Sequence, residues 1–316
     1  MPKLQLPFQP IRQEVYTSDE LFARFDPGIP SSWADTPDFA AYTYFVREGR
    51  SAPKNAYSGM MQALHDSAIT QATLDFVSQK RVVAIMGGHK LARNSPAYAS
   101  VADLSRRLTR SGLLVCSGGG PGAMEASHLG AALAPHPDDA LGTSLRKLAH
   151  EAVVPALGAI VDSGGQADAQ LVEAAHRWFA PAFEIHSSLT VRGESLAIPT
   201  WHYGHEPATP LASHIAKYFQ NSIREDGLLA LGSHGVVFAE GKAGTIQEIF
   251  QDAAQNYYRS FGHFSPMVLF GVKYWTETFP VLPVLRALFS REDFDRLVLA
   301  TDDIVQAVTF IESFEP

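Results

Sequence analysis

The sequence predicts an α/β protein in which a doubly wound parallel sheet follows a helical N-terminal extension. Short apolar runs of strand length alternate with amphipathic helical segments from residue 81 onward, and this alternation is typical of a parallel sheet covered by helices on both faces. Several of the runs end directly in glycines. The first 80 residues instead space their apolar side chains three and four apart and contain no clear strand.

The N-terminal extension, residues 1–80, carries helix start signals at Thr17–Asp19 and helical spacing in "DTPDFAAYTYFVREG" and "AITQATLDFVSQK". A Pro/Gly/Ser-rich break, "DPGIPSSW", separates these segments. We expect this extension to pack on the rest of the chain or to contribute to contacts between subunits.

Residues 81–316 are expected to form the nucleotide-binding and catalytic domain. The runs "RVVAIMGG" and "LLVCSGGG" each precede a helical segment, and "HGVVFAEG", "PMVLFGV" and "RLVLAT" repeat the pattern towards the C-terminus. The stretch between residues 134 and 218 is less regular and holds a Pro/His-rich loop, "HYGHEPATP".

Composition excludes several classes of function. The chain of 316 residues is 46% hydrophobic and 18% charged, with a formal net charge of −8. Broad electrostatic binding to nucleic acid or to an anionic membrane is therefore not expected, because both need a basic face. Neither a signal peptide nor an apolar run of membrane-spanning length is apparent. The single cysteine, Cys116, lies in an apolar run, which predicts a buried, unreactive thiol and suits a reducing cytoplasm.

Three glycine turns follow predicted strands: Gly87–Gly88, Gly118–Gly120 and Gly241–Gly244. Ligands of open parallel sheets bind beyond the carboxyl ends of the strands. If the three turns share one edge of the sheet, they converge on one crevice.

The segment "FAEGKAGTIQEIF", residues 238–250, allows two interpretations. Thr245 and Glu248 match a capping box, in which each side chain satisfies a backbone donor at a helix start. Alternatively, glycines that let a ligand approach the backbone, together with the free N–H groups of a helix start, form a phosphate site.

Two motifs carry a resemblance to a known family. "SGGGPGAMEA" and "EGKAGTIQE" resemble, in the right order, the two glycine motifs of the LONELY GUY family of cytokinin riboside 5′-monophosphate phosphoribohydrolases, formerly mislabelled lysine decarboxylases. "MGGH" and "CSGGGPGAMEASHLGAA" are also similar to the larger bacterial nucleotide 5′-monophosphate nucleosidases. The resemblance covers roughly residues 81–314 and implies a Rossmann-like fold, hydrolysis of a nucleoside 5′-monophosphate to base and ribose 5-phosphate, and a homodimer or higher homo-oligomer. No cofactor or metal is required by that chemistry.

The resemblance also implies roles for individual residues. Glu248 would act on the ribose, where a carboxylate stabilises positive charge or activates water. Arg224 would be its charged partner, although the family spacing falls on Glu225 without a one-residue insertion. The "HEPATP" segment resembles one that the larger nucleosidases place beside the ligand. The expected substrate-binding residues are Gly87, Gly88, Gly119, Gly120, Met124, His205, Glu206, Gly241, Lys242, Ala243, Gly244 and Thr245, with core packing the favoured role for Met124.

Two departures from the family motif motivate an alternative. Glu240 stands where the family has proline, and Lys242 where it has its second glycine. A carboxylate beside a phosphate is unfavourable unless it turns away, and a side chain at Lys242 limits how closely the backbone approaches a ligand. A non-catalytic nucleotide-binding or sensing protein on the same fold is therefore the alternative.

Two other ligands are less favoured. Gly118, Gly120 and Ala123 satisfy the spacing of a dinucleotide-binding fingerprint, but the acidic residue expected at the end of the second strand is missing. His202, His205 and Glu206 could suggest zinc, yet their spacing is not that of a zinc helix, and nearby prolines disfavour a helix there.

Overall fold

The computed structural model describes residues 6–204, 206–262 and 264–314. One eight-stranded sheet has the order β1-β5-β4-β3-β2-β6-β7-β8, and every neighbouring pair is parallel except β1 and β5. The doubly wound α/β fold expected from the sequence is confirmed. The strands are β1 Tyr16–Thr17, β2 Val82–Met86, β3 Leu114–Ser117, β4 Ser195–Ala197, β5 His214–Ile215, β6 Val236–Phe238, β7 Met267–Phe270 and β8 Val298–Thr301.

Helices cover both faces of this sheet. Successive residues of a strand point to opposite sides, so one strand contributes to two hydrophobic cores. Val82, Ala84 and Met86 belong to one hydrophobic core, and Val83 and Ile85 belong to a second. The helices are α1 Ser18–Leu21, α2 Pro37–Arg47, α3 Ala56–Val77, α4 Pro96–Arg110, α5 Ala123–Ala132, α6 Asp138–Leu148, α7 Ala169–Ser188, α8 Asn221–Leu231, α9 Ala243–Tyr258, α10 Leu282–Leu288, α11 Arg291–Leu297 and α12 Ile304–Glu312.

The strand order places a topological switch point between β2 and β6. From β2 the chain builds β3, β4 and β5 on one side and then returns to form β6 on the other side of β2. Loops that leave adjacent strands in opposite directions open a crevice at the carboxyl edge of the sheet. The loops after β2 and β6 are the ones that carry Gly87–Gly88 and Gly241–Gly244.

The N-terminal extension contributes to the sheet, and the expectation that it contains no strand was wrong. Tyr16 and Thr17 form β1, which pairs with Ile215 and His214 of β5. A two-residue strand is too short to show a period of alternation, so the sequence pattern does not reveal it. The extension also shares a hydrophobic core with the sheet, since Phe45 lies in the same cluster as β4 residues. A division of the chain at residue 80 stays a prediction.

Helix α3 of the extension turns its polar side chains inward. Gln62, His65 and Asp66 are buried, whereas Met60 and Leu64 are exposed on the opposite side. Because buried charged side chains are rarely found without partners, we expect Asp66 to accept hydrogen bonds from groups inside the protein.

Within the described ranges, no helix combines the length and apolar character needed to cross a membrane. Cys116 lies in β3 and is fully buried, and burial raises the pKa of its thiol. The expectation of a buried thiol is therefore confirmed, because reactive cysteines need a stabilised thiolate and access to solvent.

Candidate functional site

A pocket of about 580 Å³ lies at the switch point between β2 and β6. Its wall combines the loop after β2, the loop after β6 with the first turn of α9, one face of α8, and part of the segment that follows β4. The lining residues are Gly87, Gly88, His89, Lys90, Leu91, Met124, Tyr203, Glu206, Arg224, Glu225, Glu240, Gly241, Lys242, Ala243, Gly244, Thr245, Glu248 and Tyr274.

The start of α9 is open towards this pocket. Lys242 is the N-cap residue, and its side chain makes no capping hydrogen bond. The first helical bond runs from the N–H of Ile246 to the carbonyl of Lys242 at 2.9 Å, so the N–H groups of Ala243, Gly244 and Thr245 have no partner within the helix. Unpaired N–H groups at the positive end of a helix favour an anion.

The capping box expected at Thr245 and Glu248 was wrong. Thr245 is the third residue of α9 rather than its cap, and its buried side chain packs against Gly241 so closely that no Cβ would fit there. The helix starts three residues earlier than the box requires, because its N-cap is Lys242 rather than Thr245. The other interpretation of this segment, an anion site, stays a prediction.

Glu248 lies one turn into α9 and faces the pocket, partly buried. Burial raises the pKa of its carboxyl to about 7, with Arg224 acting in the opposite direction and Glu225 and Glu206 adding to the rise. A carboxyl whose pKa lies near neutrality can exchange a proton at physiological pH, as acid–base catalysts do.

Arg224 projects from α8 into the wall of the pocket and is only 6% exposed. Its guanidinium lies beside the turn at Gly118, 3.7 Å from where a Cβ would stand there. Among the described residues, its buried Nε has no hydrogen-bond partner. A buried donor without a partner is costly, and a guanidinium is suited to carboxylate or phosphate oxygens. Arg224 therefore lies in the pocket wall, and its role as the charged partner of Glu248 stays a prediction.

Glu225 also lines the pocket. Its carboxylate accepts a hydrogen bond from the Nδ2 of Asn221 at 2.7 Å, and the same Nδ2 donates to the hydroxyl of Tyr203 at 3.1 Å. Asn221, Arg224 and Glu225 lie three and four residues apart, so they occupy one face of α8. That face meets the pocket.

Two predicted binding residues lie behind the pocket wall rather than on it. Gly119, with a φ of 72°, packs against Ala197, and Gly120 packs against Met124. Met124 is buried, places its sulfur against Gly118, and reaches the wall from behind. This turn therefore shapes the pocket through packing, and contact of Gly119 and Gly120 with a substrate stays a prediction.

The segment after β4 reaches the pocket at Glu206, whose carboxylate lies 3.1 Å from the Nδ1 of His89. His205, the other residue expected here, lies outside the described residues. His89 and Lys90 were not anticipated, although they directly follow Gly87–Gly88 and that position was a usable signal. Tyr203 and Tyr274 had no sequence signal; the Tyr274 hydroxyl donates to the carbonyl of Gly241 at 2.7 Å.

The two departures from the family motif have distinct placements. Lys242 is exposed at the start of α9, where an ammonium group can reach an anion in the pocket. The Glu240 side chain lies along Gly271, with its Cγ 3.7 Å from where a Cβ would stand there, and together with burial it raises the pKa of Tyr274. Glu240 thus leans towards the loop after β7.

Neither of the less favoured ligands gains support from the geometry. The Gly118–Gly120 turn is filled by Met124, which occupies the space that a dinucleotide phosphate would need. His202 contacts Ser51 at 2.9 Å. Across residues 6–204, 206–262 and 264–314, no group of three or more histidine, cysteine, aspartate or glutamate side chains is arranged to hold a metal.

Comparison with known proteins found no matching family model and no matching curated protein. A solved structure that the chain resembles is that of the molybdenum cofactor binding protein from the phototrophic bacterium Rippkaea orientalis. The match has 12% sequence identity and a TM-score of 0.42, and it covers 74% of this chain and 97% of that chain. The function of this protein is therefore inferred from the geometry of its own site.

Proposed function

We propose that this protein hydrolyses the N-glycosidic bond of a nucleoside 5′-monophosphate, giving the free base and ribose 5-phosphate. One observation carries the proposal: the pocket into which the uncapped start of α9 opens is lined by both Glu248 and Arg224. The carboxyl of Glu248 has a raised pKa, and the buried guanidinium of Arg224 has an Nε without a hydrogen-bond partner among the described residues. The resemblance of both glycine motifs to the LONELY GUY family supports the same activity.

The phosphate would bind at the start of α9. The N–H groups of Ala243, Gly244 and Thr245 supply donors, the helix supplies a positive end, and Lys242 supplies a mobile charge. Gly244 has open space where a side chain would stand, so a phosphate can approach its backbone. This placement directs the ribose towards Glu248, one turn further along the same helix.

The chemical step needs a carboxylate close to the anomeric carbon. As the bond between that carbon and the base nitrogen breaks, its electron pair leaves with the base, which takes up a proton, and positive charge develops on the ribose. Deprotonated Glu248 stabilises this charge or accepts a proton from the attacking water, whose oxygen forms the new bond to carbon. The positive charge of Arg224 lowers the pKa of Glu248 and so favours the ionised carboxylate.

A non-catalytic nucleotide-binding or sensing protein is the second candidate. The observation that favours it is that Glu240 and Lys242, the two departures from the family motif, both line the pocket. Such a protein would bind the same nucleotides through the start of α9 without turning them over.

The test is a panel of AMP, GMP, CMP, UMP and IMP with detection of free base and ribose 5-phosphate. Glu248→Gln is expected to lower kcat by about 100-fold or more, because it removes the carboxylate while keeping the shape. Glu292→Gln makes the same chemical change on the exposed surface of α11 and should leave kcat unchanged. Nucleotide binding with no release from any member of the panel would favour the sensor instead.

A further inference from the structure

Helix α8 carries Arg224 to the pocket but has no side-chain cap of its own. Its N-cap residue is Gln220, which makes no capping hydrogen bond. The positive end of a helix needs acceptors. At this position they come from the N-terminal extension, which is distant in sequence.

Asp66 of α3 supplies those acceptors and is fully buried. Its Oδ1 accepts from the backbone N–H of Phe219 at 2.9 Å, and its Oδ2 accepts from that of Gln220 at 2.9 Å. A carboxylate that accepts two backbone N–H groups forms strong, charge-assisted hydrogen bonds. Asp66, which lies 153 positions before Phe219 in the sequence, therefore holds the chain where it enters α8.

Asp66 is itself held by a short buried chain of hydrogen bonds. His65, also fully buried, lies with its Nδ1 3.2 Å from the Oδ1 of Asp66 and its Nε2 2.7 Å from the hydroxyl of Tyr16. With Asp66 ionised, His65 donates from Nδ1 and accepts the Tyr16 hydroxyl proton at Nε2. The strand β1 and the helix α3 thus act together on one carboxylate.

We propose that Asp66 is a positioning residue for the proposed hydrolysis: it fixes the start of α8 and thereby holds Arg224 in the wall of the pocket that Glu248 also lines. The inference rests on the proposed function. Arg224 lies one turn into α8 from the amides that Asp66 binds, on the face that meets the pocket. Loss of the carboxylate lets that turn shift and weakens the effect of Arg224 on Glu248, while the phosphate site on α9 keeps its own support.

The test compares Asp66→Asn with the wild-type chain in two ways. The first measurement is the rate of base release as a function of pH. The kcat of Asp66→Asn should be about tenfold lower than that of the wild type, because a small displacement of a catalytic group has a large effect on rate. KM should change little. The acid limb should move to higher pH, because Arg224 lowers the Glu248 pKa while Glu225 and Glu206, the other charged groups that influence this carboxyl, raise it.

The second measurement is hydrogen exchange of the backbone amides, which needs no catalysis. Exchange in Phe219, Gln220 and the first turn of α8 should quicken by at least about tenfold, as expected for loss of a charge-assisted hydrogen bond. Tyr16→Phe, which removes only the hydroxyl at the far end of the chain of bonds, should change both measurements in the same direction by less. It also serves as the test if Asp66→Asn does not fold.

Ile311→Ala is the control for loss of stability. Ile311 is buried in the other core, beside Gly235 at the start of β6, so its truncation should lower the melting temperature without moving the acid limb. A lower melting temperature for Asp66→Asn with unchanged acid limb and unchanged α8 exchange overturns the inference. Absence of base release in the wild type overturns the proposed function, and hydrogen exchange alone then decides whether Asp66 holds α8.

Discussion

The backbone N–H of Gly88 donates to the carbonyl oxygen of Glu240 at 2.9 Å. This bond joins the loop after β2 to the loop after β6 across the switch point, and both residues line the pocket. A Cβ at Gly88 would stand 3.2 Å from that oxygen and 3.3 Å from the Cα of Gly241. Glycine is needed there because two backbones approach each other.

Gly88→Ala is therefore expected to separate the two loops by a few tenths of an ångström. Overpacking of this kind costs about 1–3 kcal/mol of folding free energy, and base release should fall because the start of α9 moves with its loop. Urea unfolding and kcat/KM measure the two effects. A variant with wild-type kcat/KM would contradict the view that the joined loops set the pocket geometry.

Gly244→Ala should behave in the opposite way on stability. A side chain at this position meets nothing within 4 Å, and alanine in a helix is more stable than glycine by about 0.5–1 kcal/mol. The added methyl group would occupy the space through which a phosphate approaches the helix start. We expect an equal or higher melting temperature together with weaker binding of ribose 5-phosphate; a gain in stability with unchanged binding would place the phosphate elsewhere.

The activity should depend on pH through Glu248. Because the deprotonated carboxylate is the reactive form and its pKa is about 7, kcat/KM should rise with pH and level off above neutrality. Arg224→Gln should move this limb to higher pH, since Arg224 lowers the pKa of Glu248. A pH profile of kcat/KM for both proteins measures the effect, and a limb that stays in place would separate Arg224 from Glu248.

Asp252 should make the free energy of unfolding fall as pH rises. Burial raises the pKa of this fully enclosed carboxyl from 3.8 to about 8, against a weak lowering by Ser265. Between these values the folded chain keeps a proton that the unfolded chain releases, so stability is present at low pH and is lost towards pH 8. Asp252→Asn carries no proton and should lose less stability over that range.

Thermal unfolding of both proteins near pH 4 and near pH 8 tests this. Each tenfold difference in proton affinity corresponds to about 1.4 kcal/mol, and the contribution of Glu248 is common to both proteins and cancels. Equal losses of stability for Asp252→Asn and the wild type would mean that Asp252 is ionised in the folded chain.

The buried pair of Arg93 and Glu125 should contribute to stability only as a pair. The guanidinium binds both carboxylate oxygens at 2.7 Å, and the Tyr98 hydroxyl donates to one of them at 2.9 Å. Glu125→Gln leaves an uncompensated buried charge, which typically costs about 3–5 kcal/mol. The double variant Arg93→Met with Glu125→Leu should recover most of this loss in the free energy of unfolding, measured with urea. A loss in the double variant equal to the sum of the losses in Arg93→Met and Glu125→Leu alone would contradict the expectation.

Outside the less regular stretch between residues 134 and 218, the repeating strands and helices that follow residue 81 were predictable, because strands and helices alternate there in a regular apolar pattern. The turns at Gly87–Gly88 and Gly241–Gly244 were predictable for the same reason, since a strand leads into each and the parallel sheet brings both to one edge. The motif "EGKAGTIQE" also predicted that Glu248 would lie at this edge, and Glu248 lines the pocket.

Other features depend on contacts that no local pattern encodes. β1 and β5 are two residues long, so pairing alone defines them. The expected cap at Thr245 failed because the turn that starts α9 is set by its packing with the loop after β2. Asp66 sits in an ordinary helical pattern, and nothing in its neighbourhood indicates that its partners are the amides of Phe219 and Gln220.

The hydrogen bond between Asp66 and Phe219 also has a consequence for the order of folding. Contacts between residues far apart in sequence form slowly, because a long loop must close before they stabilise anything. The start of α8 can acquire its final position only after α3 has docked, so an unfolded chain that regains its helices has not yet assembled its site. Recovery of base release during refolding should accordingly lag behind the recovery of secondary structure.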